Sequence, residues 1–92
     1  MGEIVWTRVA QEDLESARIY LTETSPGSIP KILTQLRKTL KILSNHPFIG
    51  RPGRVKDTRE LPLQKTPFIL VYRVIESQIQ ILTFLHSSRR WP

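Results

Sequence analysis

Two adjacent β-rich runs restrict the fold of this chain more than any other feature. Residues 68–74 and 79–85 are dense in Ile, Val, Leu, Phe and Tyr, and the polar pair Glu76-Ser77 lies between them. This pattern predicts an antiparallel hairpin closed by a two-residue loop. In that register Ile75 faces Gln78, Val71 faces Leu82 and Phe68 faces Leu85.

The predicted register divides the hairpin into two faces, because opposed residues point to the same side of a sheet. The core face is almost wholly apolar and would carry Phe68, Leu70, Tyr72, Val74, Ile79, Ile81, Thr83 and Leu85. The open face has polar groups set among apolar ones and would carry Ile69, Val71, Arg73, Gln80, Leu82, Phe84 and His86. We expect binding or chemistry on the open face.

Before the hairpin, the apolar residues follow a helical period. One stripe, which predicts a helix over residues 10–24, consists of Ala10, Leu14, Ala17 and Leu21. A second stripe, which predicts a helix over residues 28–45, consists of Ile29, Ile32, Leu33, Leu36, Leu40 and Leu43. Ser28 can cap this second helix. In the first helix Glu12, Asp13 and Glu15 favour the positive end of the helix dipole.

The remaining segments complete a small α+β fold. Short strands are predicted over residues 4–8 and 59–63, and residues 48–57 form a loop with two Gly, one Pro and three basic residues. The first strand could pair with either hairpin strand. The order β-α-α-β-β-β predicts a helical hairpin packed on one face of a small antiparallel sheet. At 92 residues, the chain suits a single domain over residues 1–92.

Composition restricts the partners and the compartment. The net charge is +6, and residues 31–92 hold 12 basic against 3 acidic side chains. Such a balance favours a polyanionic partner, either nucleic acid or an acidic protein, although it also suits a solvated basic surface. The absence of Cys suits a reducing cytosol. No apolar stretch approaches the roughly 20 residues that span a membrane, so we expect a cytoplasmic protein.

Several candidate site residues each have two interpretations. His86 could be a general acid/base or a strand-end histidine bonded to its neighbours. Arg73 could bind phosphate or an acidic side chain, or could be a surface arginine without a function. Arg89 and Arg90 beside Trp91 suit polyanion binding, unless Trp91 covers the core. Two His and scattered acidic residues give little support to a metal site.

Short motifs spread along the whole chain suggest a family. They are IVWT at 4–7, Asp13-Leu14, His46-Pro47, IGRP at 49–52, TREL at 58–61, VYRV at 71–74, and Leu85-His86 followed by RRWP at 89–92. In this order and spacing they resemble the RelE/ParE superfamily of toxins from type II toxin–antitoxin systems. The resemblance implies a cognate antitoxin. The +6 charge and the polar-rimmed apolar face favour an acidic antitoxin whose disordered tail orders on binding, and we expect no cofactor.

The superfamily that the chain resembles has two branches with different activities. RelE-like members are ribosome-dependent mRNA endonucleases, yet the column of their usual arginine holds Ile69 here, and their paired lysines fall near Glu60 and Pro62. Arg89 is the one match. ParE-like members resemble this chain in Tyr72-Arg73-Val74 and in the Leu-His ending of the last strand, which implies inhibition of DNA gyrase without bond chemistry. The ribosome and mRNA are the alternative targets.

The resemblance and the predicted faces together assign the site residues. Target binding is assigned to His86, Arg89, Arg90 and Trp91. Antitoxin binding is assigned to the open face, through Ile69, Val71, Arg73, Leu82 and Phe84. Contacts to phosphate or to an acidic partner are assigned to Arg51, Arg54, Lys56 and Arg59. If the protein were a nuclease, catalysis would fall to Arg73, His86 and Arg89, and no metal ligands are assigned.

Overall fold

The computed structural model describes residues 2–89 and 91. Its elements are β1 (Glu3–Trp6), α1 (Arg8–Thr24), a 3-10 turn (Pro26–Ser28), α2 (Ile29–Asn45), β2 (Arg51–Pro52), β3 (Arg59–Pro62), β4 (Phe68–Ile75) and β5 (Gln78–His86). The predicted α+β class and order of elements are confirmed. The two-residue strand β2 is additional and lies in the segment that composition predicts to be a loop.

The strands form one sheet in the order β1-β5-β4-β3-β2. Strands β2 to β5 pair antiparallel, whereas β1 pairs parallel to β5. The sheet is therefore mixed rather than wholly antiparallel. Because almost the whole chain separates β1 from β5, no tight turn forces these two strands to run in opposite directions.

The N-cap residue of α1, Thr7, also forms a hydrogen bond to the sheet. The Thr7 hydroxyl accepts a hydrogen bond from the Ala10 N–H at 3.2 Å and donates to the Ile81 carbonyl at 2.9 Å. This N-cap fixes the start of α1 against β5. The expected cap of α2 is not formed, because the Ser28 hydroxyl donates instead to the Ser25 carbonyl at 2.7 Å within the 3-10 turn.

The core lies between the helices and one face of the sheet. Its buried residues are Ala10, Ile32, Leu36, Leu43, Leu63, Phe68, Leu70, Tyr72, Ile79, Ile81 and Phe84. The buried face of α2 is rotated slightly from the predicted stripe. Leu33, which belongs to the predicted stripe, is 40% exposed, whereas Thr39, which does not, is buried. Leu33 instead lies beside a gap between the two helices, together with Leu21 and Ile29.

A β-bulge changes the hairpin register halfway along. From Ile75 to Tyr72 the pairs match the prediction, with Tyr72 facing Ile81. Beyond that point Val71 faces Thr83 and Phe68 faces His86, so Leu82 is the extra residue on β5. The predicted Val71–Leu82 and Phe68–Leu85 pairs are wrong.

The bulge moves several side chains to the other face. Phe84 and His86, which the sequence assigns to the open face, lie opposite Leu70 and Phe68 on the core face. Leu85, which the sequence assigns to the core face, lies opposite Ile69 instead. A shift of one residue exchanges the two faces because successive strand residues point to opposite sides.

Candidate binding groove

A groove opens on the helix side of the sheet, between α1 and the end of β5. Its volume is about 440 Å³. It is lined by Asp13, Ser16, Ala17 and Tyr20 of α1, and by Phe68, Phe84, His86, Ser88 and Arg89 from the sheet and the segment after it. The groove thus brings together two residues predicted to bind the target, His86 and Arg89. We call it the α1–β5 groove.

Asp13 holds the two walls of the α1–β5 groove together. Its carboxylate accepts hydrogen bonds from the Thr83 hydroxyl and from the Phe84 N–H, the latter at 3.4 Å. These bonds attach α1 to β5 directly after the bulge, and they help to place Phe84 in the groove. Sequence reasoning assigned Asp13 only a helix-dipole effect, because the partner is 70 residues away in the chain.

Aromatic stacking forms the floor of the groove. The Phe68 and Phe84 rings are stacked with centroids 4.8 Å apart, and the His86 ring meets Phe68 edge-on at 5.7 Å. The His86 Nδ1 accepts from the Ser88 N–H at 3.1 Å and lies 2.8 Å from the Ser88 hydroxyl oxygen. Since a backbone N–H only donates, Nδ1 holds a lone pair in this arrangement and Nε2 carries the proton. These are the bonds of a strand-end histidine.

The residues directly after β5 also line the groove. The Arg89 N–H donates to the His86 carbonyl at 2.9 Å, and the exposed Arg89 side chain lines the groove. Trp91 is half-buried. Arg90, the remaining residue of the predicted target-binding set, lies outside the described residues, as does Pro92.

An apolar seam between the two helices continues the groove. This seam has a volume of about 170 Å³ and shares Ala17 and Phe84 with the α1–β5 groove. It is lined by Leu14, Glu15, Ala17, Arg18, Leu21, Ile29, Ile32, Leu33 and Phe84. Only Glu15 and Arg18 are charged, and they pair with each other at 2.6 Å. The combined cleft therefore has an apolar half and a half with polar and charged groups.

The open face differs from its prediction as an antitoxin site. Val71 is only 1% exposed, because β4 is the central strand of five and its neighbours shield it. Phe84 lies on the opposite side of the sheet, because the bulge at Leu82 shifts the register of β5 by one residue. Ile69 and Leu82 are half-buried, and Arg73 is exposed.

The three residues named for nuclease catalysis do not form one site. Arg73 donates from Nε to the Gln80 side chain at 2.9 Å, and Gln80 precedes His86 by six residues on β5. At about 3.3 Å per strand residue, roughly 20 Å separates Arg73 from His86 along the sheet. Arg73 also follows the core residue Tyr72, which places it on the face opposite His86. Only His86 and Arg89 are close together.

The predicted basic contacts divide into two pairs. Arg51 pairs with Glu60 at 3.2 Å, and Arg59 donates to the carbonyls of Phe48 and Gly50 at 3.0 and 2.9 Å. These two arginines therefore support the local structure. Arg54 and Lys56 are exposed and make no ion pair within residues 2–89. They remain candidates for an acidic partner.

The described residues contain no group of three or more His, Asp or Glu side chains arranged to hold a metal ion. In the same part of the chain, neither helix has the length and hydropathy to cross a bilayer.

Solved structures share this architecture. A structure of the chromosomal ParDE toxin–antitoxin system from P. aeruginosa is 30% identical and has a TM-score of 0.75, with 94% of this chain and 96% of that one covered. The solution structure of HP0894, a conserved hypothetical protein from Helicobacter pylori, is 20% identical with a TM-score of 0.62 over 97% and 98% of the two chains. The second likeness concerns the fold alone. Together with the architecture, the first match defines a toxin of the RelE/ParE class.

Sequence comparison identifies the family within this class. Residues 4–91 match the model described as "ParE toxin of type II toxin-antitoxin system, parDE". The chain is also 35% identical over 89 residues to "Putative toxin Y4kP" of Sinorhizobium fredii, covering 97% of this chain and 92% of that protein. The chain belongs to the ParE toxin family. Membership of a toxin–antitoxin family implies an antitoxin partner.

Proposed function

We propose that this ParE-family protein inhibits bacterial growth by binding DNA gyrase in the cytoplasm, and that a cognate acidic antitoxin neutralises it. The observation that carries the proposal is the separation of Arg73 from His86 and Arg89. General acid–base catalysis needs its groups within hydrogen-bond reach of one substrate, about 2.6–3.2 Å. Groups on opposite faces and roughly 20 Å apart along a sheet cannot act on one phosphodiester. This arrangement favours a binding function.

The α1–β5 groove and the helix seam fit an antitoxin segment. An amphipathic helix or an extended segment could set apolar residues into the seam beside Leu21 and Ile32, and an acidic residue against Arg89. The +6 charge of the toxin would steer an acidic antitoxin during association. We therefore move the proposed antitoxin site from the open face to the groove.

The electrostatic part of this proposal is tested by the rate of association. With purified toxin and the antitoxin encoded by the neighbouring gene, the association rate should fall steeply as salt rises from about 0.05 to 0.5 M, because the Debye length shortens. A rate indifferent to salt would contradict steering. The antitoxin variant with its acidic residues replaced by Gln or Asn is the matched control.

An mRNA endonuclease acting on the ribosome is the second candidate. The observation that favours it is the presence of His86 and Arg89 in one groove with Tyr20 and Asp13. In this alternative Arg73 takes no part in the reaction.

One pair of assays separates the two functions. Purified toxin is added to gyrase in a supercoiling assay and, separately, to ribosomes translating a defined mRNA. We expect loss of supercoiling with the mRNA intact. Toxin mixed beforehand with antitoxin is the control in both assays. Cleaved mRNA with normal supercoiling would overturn the gyrase proposal.

A further inference from the structure

Residues 46–50 form a turn that exposes large apolar side chains directly after α2. The Ile49 N–H donates to the His46 carbonyl at 3.0 Å, and Pro47 occupies the second position of the turn, where its fixed φ is favourable. Phe48 is 64% exposed and Ile49 is 49% exposed. Contiguous exposed apolar side chains on a small protein often mark an interaction site.

A buried tyrosine fixes this turn to the core. The Tyr72 hydroxyl accepts from the Gly50 N–H at 2.8 Å and donates to the Pro47 carbonyl at 2.8 Å. Gly50 permits this approach, because a Cβ there would lie 2.7 Å from the Tyr72 hydroxyl oxygen. The turn therefore has a defined position on the central strand β4.

Arg59 fixes the Phe48 ring as well as the backbone. Its Nη1 donates to the Phe48 and Gly50 carbonyls, and its guanidinium carbon lies 5.1 Å from the centroid of the Phe48 ring. This is the geometry of a cation–π contact. An exposed aromatic side chain that is held in place before binding loses little freedom when a partner arrives.

The surroundings of Phe48 are basic. A cavity of about 490 Å³ beside the turn is lined in part by Phe48, Arg59, Arg73 and Ile75. Phe48, Ile49 and Ile75, together with Arg59 and Arg73, are named here the loop patch. The residues in and around it include five cationic side chains against three carboxylates, Asp57, Glu60 and Glu76, and Glu60 already pairs with Arg51.

We propose that the loop patch binds the target protein of this toxin, at an acidic surface that offers an apolar pocket for Phe48. This inference rests on the proposed function as a toxin that acts by binding. The antitoxin is assigned to the α1–β5 groove, whose His86 lies roughly 20 Å from Arg73 along β5, at six residues of about 3.3 Å each. A protein is favoured over nucleic acid because Arg51, Arg59 and Arg73 already make hydrogen bonds, whereas Phe48 and Ile49 stay exposed.

Two truncations and a matched control test the loop patch. Phe48→Ala and Ile49→Ala remove the exposed side chains, and Ile42→Ala removes one of similar exposure, 47%, on α2. We expect Phe48→Ala to weaken inhibition of gyrase supercoiling about 30-fold, as an interface hot spot does. Ile42→Ala should inhibit as the wild type does. All three variants should bind the antitoxin of the neighbouring gene with unchanged affinity.

A charge pair at Ile49 tests the acidic partner. Both Ile49→Glu and Ile49→Lys remove the apolar side chain, so both should weaken inhibition. Ile49→Glu should inhibit gyrase less than Ile49→Lys does, because the carboxylate of the Glu variant would face an acidic surface of the partner. Equal effects, or a stronger defect of the Lys variant, would contradict an acidic partner.

Each remaining outcome decides between the two proposals. If wild-type toxin inhibits gyrase and Phe48→Ala is equally potent, the loop patch is not the target surface, although the proposed function stands. If wild-type toxin leaves gyrase active, the proposed function fails. Growth arrest on expression then tests the loop patch separately, and growth arrest by Phe48→Ala equal to that by the wild type would overturn the patch. If Phe48→Ala loses antitoxin binding, the loop patch is an antitoxin site instead. If Phe48→Ala loses affinity for duplex DNA while it still inhibits gyrase, the loop patch is a DNA site instead. Either result would overturn the proposal.

Discussion

Removing one oxygen atom from the core should measure how firmly the 46–50 turn is attached. In Tyr72→Phe the ring still fills its buried place, but the Gly50 N–H and the Pro47 carbonyl lose their partner. The Gly50 bond is buried, and leaving a buried donor unpaired costs about 1–3 kcal/mol. The partly buried Pro47 carbonyl keeps access to water and should add less.

We therefore expect Tyr72→Phe to lower the free energy of unfolding by about 2–3 kcal/mol. For a domain of this size that corresponds to a decrease in Tm of roughly 10–20 °C. Urea denaturation followed by circular dichroism measures the change. The other tyrosine provides the control: Tyr20 lies exposed on α1, so Tyr20→Phe should change stability by less than about 0.5 kcal/mol. Equal stability of the two variants would refute the claim that the hydroxyl holds the turn.

The same tyrosine predicts a dependence on pH. Burial of the ring raises the pKa of Tyr72 above its ordinary value of 10.0, against smaller opposing effects of the Gly50 N–H and of Arg59. The unfolded chain then releases the phenol proton at lower pH than the folded protein. The stability contributed by this group is fully present below about pH 10 and falls as the pH rises further. The stability difference between wild type and Tyr72→Phe should therefore narrow as the pH rises above about 10.

Three other substitutions test the remaining structural claims. Leu43→Ala, in the core, should cost about 2–5 kcal/mol, and Leu33→Ala, on the same helix but partly exposed, should cost less than half as much by denaturation. Thr83→Val removes the donor to Asp13 and should lower stability by about 1–3 kcal/mol, with Thr34→Val on the exposed face of α2 as its control. His86→Gln should keep growth inhibition. Loss of inhibition by folded His86→Gln, together with mRNA cleavage by the wild type, would indicate catalysis.

The hydrophobic pattern predicts most of the fold because apolar residues recur with the helical period in residues 10–45 and follow one another in β-rich runs in residues 68–85. The α1 stripe from Ala10 to Leu21 and the pairing near the hairpin turn both agree with the structure. The bulge at Leu82 could not be predicted in this way, because residues 81–85 are apolar on both faces, apart from Thr83. When both faces are apolar, a shift of one residue leaves the pattern unchanged. The structure places the bulge where the Thr7 hydroxyl contacts the carbonyls of Ile81 and Leu82.

The error in register also explains why Phe84 and His86 are expected on the open face from the sequence, although the structure places them in the groove. His86 and Arg89 are close in sequence, so their proximity was predictable. The other wall of the groove depends on Asp13 meeting Thr83, a contact between distant segments that no local pattern records. The proposed loop patch is hard to predict for a similar reason, since Phe48 and Ile49 follow a helix end and have the pattern of ordinary loop residues. Their attachment depends on Tyr72, whose ring suggests only a core position.

The two proposed surfaces restrict how an antitoxin could neutralise this toxin. The groove and the loop patch lie towards different ends of the β4–β5 hairpin, so a segment confined to the groove would leave Phe48 accessible. The molecule is 39 Å long, and an extended chain covers at most about 3.3–3.6 Å per residue. An antitoxin tail of about a dozen residues could therefore reach from the groove to the edge of the patch and exclude gyrase sterically, without contacts to Phe48 or Ile49. Antitoxin shortened to its groove-binding segment should bind without restoring gyrase activity, and pull-down of a complex of gyrase, toxin and shortened antitoxin would detect this state. Full neutralisation by the shortened antitoxin would show instead that the groove itself meets the target.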